Sequence, residues 1–287
     1  MAEPVLIASA PRRPRLAERL LTIAACITVV LAIPIIVMGF WLALRHHLNC
    51  IKLLEIPVLF IGLALVPVSL LAIVGVLKRK FFLVVASLVL MFLLLLLLLA
   101  FTLFAFIVTN NGGAHSVPGA NFLEYNLGEY SGWLQDQVND RFKWLGLRAC
   151  LRDGQICRGL NRQYPSLPDF DNADLSPVQS GCCKPPNACG FTFVAPTQWV
   201  TATNPTASSD CQFWSNSGMC YDCNTCKAGL LENVRQDWRT VAKVCLTMFL
   251  LLLVVYLLSL LAFLKSSSEG YFRSLYTHPG FSKPLPS

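Results

Sequence analysis

Residues 181–191 read Gly181-Cys182-Cys183-Lys184-Pro185-Pro186-Asn187-Ala188-Cys189-Gly190-Phe191. Six further cysteines, Cys150, Cys157, Cys211, Cys220, Cys223 and Cys226, lie in the same polar stretch, 109–243. Thiols at this density have three chemistries open to them: nucleophilic attack, metal binding and disulfide pairing. Cys220-x-x-Cys223-x-x-Cys226 has metal-ligand spacing, yet a zinc site wants reduced thiols and a fourth ligand, and the stretch's single histidine, His115, is remote in sequence. The four histidines, His46, His47, His115 and His278, show no helical metal-ligand spacing, and no nucleophile motif is present. Metal and cofactor are therefore expected to be absent. A disulfide framework in an oxidising compartment is the chemistry the pattern favours. The stretch holds nine cysteines, an odd number, and Cys50 makes a tenth; it is expected to be tied to the stretch or to lie close to it. Spacing leaves the connectivity open.

The elements that must hold this framework are membrane spans. The chain has 287 residues, 55% hydrophobic and 14% charged, where a soluble domain carries about 25% charged residues. Leu93 to Leu99 is an unbroken leucine run. Windows 20–44, 56–77, 81–108 and 244–264 are each long enough to cross a bilayer, since 22 helical residues reach roughly 33 Å. The first is too long for the apolar core of a cleaved signal peptide and reads as an uncleaved anchor.

Net charge is +7, carried as +2 in the tail 1–19, +3 in the short loop 78–80 and +2 in the tail 265–287. The small loop 45–55 and the long loop 109–243 nearly cancel. That distribution places both termini and the 78–80 loop in the cytosol, with both other loops outside. It reflects insertion and anionic inner-leaflet lipid, and excludes a concentrated nucleic-acid face. The predicted fold class is an all-α membrane protein: four transmembrane helices and a disulfide-rich, mainly helical large extracellular loop.

Within that loop, Asn110-Asn111-Gly112-Gly113 should end the third helix. Leu127, Leu134, Val138, Phe142 and Leu145 recur at helical steps and predict one or two amphipathic helices over 121–151. Prolines at 165, 168, 177, 185, 186, 196 and 205 predict an irregular, bridge-stapled cap over 161–217. A helix over Lys227–Arg239 should run on into the fourth span. No Asn-x-Ser/Thr acceptor has a residue other than proline in the middle, so little N-glycan is expected.

Gly181-Cys182-Cys183-Lys184-Pro185, Cys189-Gly190-Phe191, Cys211-Gln212-Phe213-Trp214, Cys220 to Cys226 and Trp238 to Ala242 together resemble plant tetraspanins over nearly the whole chain. The Lys-Pro after the vicinal cysteines looks like the plant form. The resemblance implies a non-catalytic membrane organiser. It would bind membrane proteins laterally within the lipid bilayer, pair with itself or other tetraspanins, and take specificity from the large loop. It also implies residence at the plasma membrane or in endosomal or vesicle membranes, and a part in cell differentiation and development.

Three features of the spans bear on that picture. Ala25, Ala32 and Gly39 repeat every seven residues on the first, and Gly62 and Ser69 do so on the second, which would let these helices pack closely. S-acylation, frequent in such proteins at cytosolic juxtamembrane cysteines, has Cys26 as its one candidate, where burial as a small apolar residue competes. Ionisable residues within the spans are confined to the outer edge, where Glu55 and Lys243 sit at matching depth. The competing functional class is a four-span channel or junction protein. It would need polar residues along the spans, which here read as nearly all aliphatic or aromatic.

Overall fold

A long uncharged apolar segment in lipid must satisfy its backbone groups internally, and this chain does so with helices. The computed structural model describes residues 16–44, 55–78 and 80–277, with the side chains of 16–17, 42–44, 55–58 and 266–277 outside that description. Helices α1 (Leu16–Leu44), α2 (Glu55–Leu77) and α3 (Phe81–Val108) precede the long loop. After it comes α10 (Asn224–Thr277), one helix that includes both the stretch expected over Lys227–Arg239 and the fourth span. Each of the four contains a window long and apolar enough to cross a membrane.

Between them lie β1 (Ala114–Ser116), β2 (Leu123–Tyr125), α4 (Gly132–Asn139), α5 (Arg141–Asp153), α6 (Leu160–Gln163), α7 (Leu167–Asp171), α8 (Pro177–Cys182), β3 (Phe191–Ala195), β4 (Gln198–Ala202) and α9 (Asp210–Phe213). The strands form two antiparallel pairs, β1 with β2 and β3 with β4. The proline-rich cap thus holds a small hairpin among its short helices.

The chain divides into two compact units: Met1–Ile36, Leu59–Leu98 and Thr247–Ser287 form one, and Val37–Val58 and Leu99–Leu246 the other. In the span unit, residues such as Val30, Phe60, Leu90 and Leu258 face outward, as lipid solvation allows, while Ala25, Ala32, Ile61, Leu65 and Leu98 are buried. The second unit has a continuous core built on Tyr130, Leu134, Val138, Trp144, Leu151, Phe170, Leu230, Leu231 and Trp238.

Two local features set the geometry of the second unit. Helix α3 stops before the Asn-Asn-Gly-Gly turn, and the Arg239 guanidinium donates to the carbonyls of Thr109 and Asn110, at 3.0 Å each, where a helix C-terminus leaves its carbonyls unpaired. The amphipathic stretch then breaks at Asp140, whose side chain accepts the Lys143 N–H and caps α5. Two helices therefore stand where one or two were expected, but not every apolar residue of the period faces the core. Leu134 and Val138 are buried, but Phe142 is 86% exposed and Leu145 is also exposed, because α5 turns Trp144 and Leu151 inward instead.

Candidate partner-binding outer domain

The vicinal pair works because adjacent side chains diverge. Cys182 bonds Cys226 at the start of α10, and Cys183 bonds Cys157 after α5. Cys189 bonds Cys211, and Cys220 bonds Cys223. The Cys-x-x-Cys-x-x-Cys run is therefore consumed by two different bridges. Cys150 is also disulfide-bonded. The expected tie of Cys50 falls outside the described residues.

Gly181, the first residue of the motif, has a steric reason. A Cβ there would meet the Thr225 carbonyl oxygen at 2.3 Å, and one on Gly229 would meet that of Pro177 at 2.2 Å. Backbone lies on backbone where α8 crosses α10, so only glycine fits on either side. Ser176 and Gln179 form a capping box that starts α8 at this crossing.

Lys184, the motif's fourth residue, is buried, with 1% of its side chain exposed, and pairs with Glu124 on β2. Its ammonium also lies 3.3 Å from Asn187 Oδ1 and 4.8 Å from the Phe122 ring centroid. Glu124 accepts in addition the Asn187 N–H at 2.9 Å. Burial lowers the Lys184 pKa from its ordinary value, and the Glu124 carboxylate opposes that shift. The lysine thus ties the cysteine motif to the first sheet and to the loop beyond.

A second buried charge sits on α10. Glu232 accepts the Tyr130 hydroxyl at 2.9 Å and receives both ends of the Arg235 guanidinium at 2.8 Å. Burial first, and then Glu232, raises the Tyr130 pKa; the same causes push Tyr125 up to about 12. A third, Asp210 on α9, accepts the backbone N–H groups of Asn224 and Thr225 at 2.9 and 2.8 Å, capping α10. Phe104, Trp133 and Trp238 form an aromatic cluster with centroids 5.2 to 6.1 Å apart. Around this locked interior, the outer surface shows isolated apolar side chains: Phe142 and Leu145 on α5, Val194 and Val200 on the hairpin, and Phe213.

In the span unit the packing residues are placed as follows. Ala25, Ala32 and Ser69 are buried, as is Gly62, where a Cβ would meet Ile36 Cγ1 at 2.9 Å and the Ile36 nitrogen at 3.2 Å. Gly39, on α1 within the second unit, is buried. Cys26 is exposed, so of the two alternatives for it packing inside the bundle does not hold, and Cys245 is buried. Of the two ionisable residues at matching depth, Glu55 has its side chain outside the described residues. The view of the spans as nearly all aliphatic missed one feature. A cavity of about 50 Å³ has Thr28, Ser69, Ser87, Tyr256 and Ser259 in its otherwise mainly apolar lining. Four of the five donate to carbonyls of their own helices, Thr28 to Ala24, Ser69 to Leu65, Ser87 to Val84 and Ser259 to Val255.

The family model for the Tetraspanin family matches residues 17–265. Among relatives from Arabidopsis thaliana, Protein TORNADO 2 is 44% identical over 249 residues, which cover 86% of this chain and 93% of that one. Tetraspanin-2 is 40% identical over 261 residues, 90% and 97% of the two chains, and Tetraspanin-7 is 39% identical over 258 residues, 88% and 98%. No solved structure matches.

Proposed function

The chain belongs to the tetraspanin family, and on that premise we propose that it is a non-catalytic organiser of membrane proteins. It is a multi-pass membrane protein with bridges in the loop region. The large loop selects partners, and the spans gather them laterally in the bilayer, with both termini in the cytosol, at the plasma membrane or in endosomal or vesicle membranes. A part in cell differentiation belongs to the same reading. The observation that carries it is the contrast within the outer domain. Four disulfides and the buried Lys184–Glu124 and Tyr130–Glu232 contacts hold one conformation, while large apolar side chains such as Phe142, Val194 and Phe213 are exposed. A preorganised surface with apolar anchors binds at a reduced ordering cost.

Two smaller proposals go with it. Cys150 is bonded and the other eight loop cysteines pair among themselves, which supports Cys50 as the partner of Cys150; a non-reducing peptide map that finds Cys50 free removes that tie. Exposure of the Cys26 thiol supports S-acylation there, read as hydroxylamine-sensitive label lost in Cys26→Ser.

The main test is purification of tagged protein from its native membrane in mild detergent, beside a Cys182→Ser/Cys183→Ser variant matched for surface delivery. A reproducible set of membrane proteins that the variant loses is the expected result. A protein that purifies alone, or partners indifferent to the variant, would overturn the reading.

A further inference from the structure

One part of the large loop presents no charge to water. Between Asp174 and Asp222 the chain carries two charged residues, Lys184 and Asp210, and both are buried. The shorter stretch 132–153 carries seven. A water-facing protein surface is normally about 25–35% charged. Yet Val194, Val200 and Phe213 are all exposed here. Apolar side chains with no charge beside them need another source of hydration.

In place of charge the region has hydroxyls, and several are engaged. Thr197 Oγ1 donates to Asn161 Oδ1 at 3.0 Å, and Thr203 Oγ1 to the Gly190 carbonyl at 3.1 Å. Ser208 and Ser215 accept the N–H groups of Asp210 and Gly218. Thr192 and Thr201 belong to the β3–β4 pair, Ser209 leads into α9, and Ser217 lies inside the tight turn that Ser215 and Met219 close. Thr206 is left. It is exposed, stands outside every helix and strand, and its hydroxyl makes no hydrogen bond among the described residues.

Thr206 sits at the apex of a turn. The Ala207 N–H donates to the Asn204 carbonyl at 3.2 Å, with Pro205 and Thr206 as the central residues. Proline presets the backbone of the first central position and has no N–H to enter a ladder. All four residues of the turn are exposed. Its base is fixed by the Asn204 N–H on the Cys189 carbonyl, at 3.0 Å, and by the bridge from Cys189 to Cys211. A threonine is therefore held out on a pinned turn, among Ser, Thr, Ala and Pro, with no bond to break before its hydroxyl reacts. That composition is the one O-glycosylated segments share. Pro205 bars Asn204 as an N-glycan acceptor and leaves the Thr206 hydroxyl untouched.

We propose that Thr206 is an O-glycosylation site. Its Oγ1 attacks the anomeric carbon of a nucleotide-activated sugar in the secretory lumen. The new C–O bond forms as the bond from that carbon to the diphosphate breaks. The hydroxyl proton passes to a base of the transferase, and a nucleoside diphosphate leaves. The attached sugar hydrates a surface that has no charge of its own. This goes beyond the organiser reading and shares with it only the outward placement of the large loop.

The test uses full-length tagged protein from its native membrane, wild type beside Thr206→Val, with surface delivery as the check of folding. The reduced chymotryptic peptide Val200–Phe213 is weighed and fragmented before and after mild alkali. The expected wild-type peptide carries a hexose, N-acetylhexosamine or pentose increment. Alkali should eliminate it and leave a dehydrated residue at position 206, and Thr206→Val should lack it. If the variant fails to reach the surface, the wild-type fragment masses decide alone, since they assign the residue directly. A wild-type peptide of unmodified mass would overturn the proposal. So would an increment that persists in Thr206→Val, or an alkali-stable one on Pro205. The same digest without reduction separates the two readings. Bridged cysteines beside an unmodified Thr206 defeat the glycan alone. Cysteines that are all free would put the loop in a reducing compartment and defeat its outward placement as well.

Discussion

The two units bury opposite things. In the span unit the outward positions are large and apolar and the inward ones include Thr28, Ser69 and Ser87. Each of these hydroxyls bonds a carbonyl three or four residues back in its own helix. In the second unit buried polar groups reach across the chain: Tyr130 to Glu232 spans 102 positions and Lys184 to Glu124 spans 60. Lipid removes the hydrophobic drive between helices, so the spans rely on close packing of small residues with polar groups satisfied at home. Water supplies that drive outside. There the buried charges act as ties, alongside bridges that a modest core with many short elements needs.

Cutting a tie should therefore unfold one unit and spare the other. All six tryptophans belong to the second unit, so their fluorescence reports it, while far-UV circular dichroism is dominated by the long helices. The largest effect is expected from Cys182→Ser/Cys226→Ser, which removes the bridge with a sequence separation of 44 at a cost of about 2–5 kcal/mol. Fluorescence melting should shift down and protease should enter the loop while the helical signal persists. Simultaneous loss of both signals would show that the units unfold together.

Next comes Lys184→Ala, which strands Glu124; about 2–3 kcal/mol is expected, less than for a fully buried pair because 23% of the Glu124 side chain is exposed. Lys184→Met with Glu124→Gln should recover much of it in a double-mutant cycle. The reverse experiment is Gly62→Leu, which forces a side chain into the Ile36 backbone and should destabilise span packing by about 1–3 kcal/mol without moving the tryptophan transition.

The smallest effect is in alkali. Tyr125 ionises in the fold at about 12 against an ordinary 10, so its contribution is whole below pH 10 and is lost as pH rises through 12. Tyr125→Phe should flatten the decline in melting temperature over that window, and an unchanged slope would remove Tyr125 from the account.

What could be read beforehand follows the range of the interaction responsible. The spans announce themselves because lipid demands a contiguous apolar run, as in Leu93 to Leu99. The presence of bridges was visible in composition, but their pairing is long-range. The turn of Phe142 and Leu145 to the outside was hidden because helical period reveals a face and not which face is covered; the cap at Asp140 was the available signal. The β3–β4 hairpin was masked by surrounding prolines, although Phe191, Phe193 and Ala195 alternate inward around a Pro196-Thr197 turn. The Lys184–Glu124 pair left no local trace at all.

The adjacency of Cys182 and Cys183 has a consequence for biosynthesis. A thiolate can attack a neighbouring disulfide through a mixed intermediate, forming one S–S bond and releasing another thiolate. A wrong bridge from Cys157 to Cys182 always has Cys183 one residue away, able to take Cys157 over and free Cys182 for Cys226. The motif is thus its own error-correcting relay. Acid-quenched oxidation intermediates should contain the Cys157–Cys182 species early; it should convert to Cys157–Cys183 without added thiol, and Cys182–Cys226 should then form only while a disulfide oxidant is present.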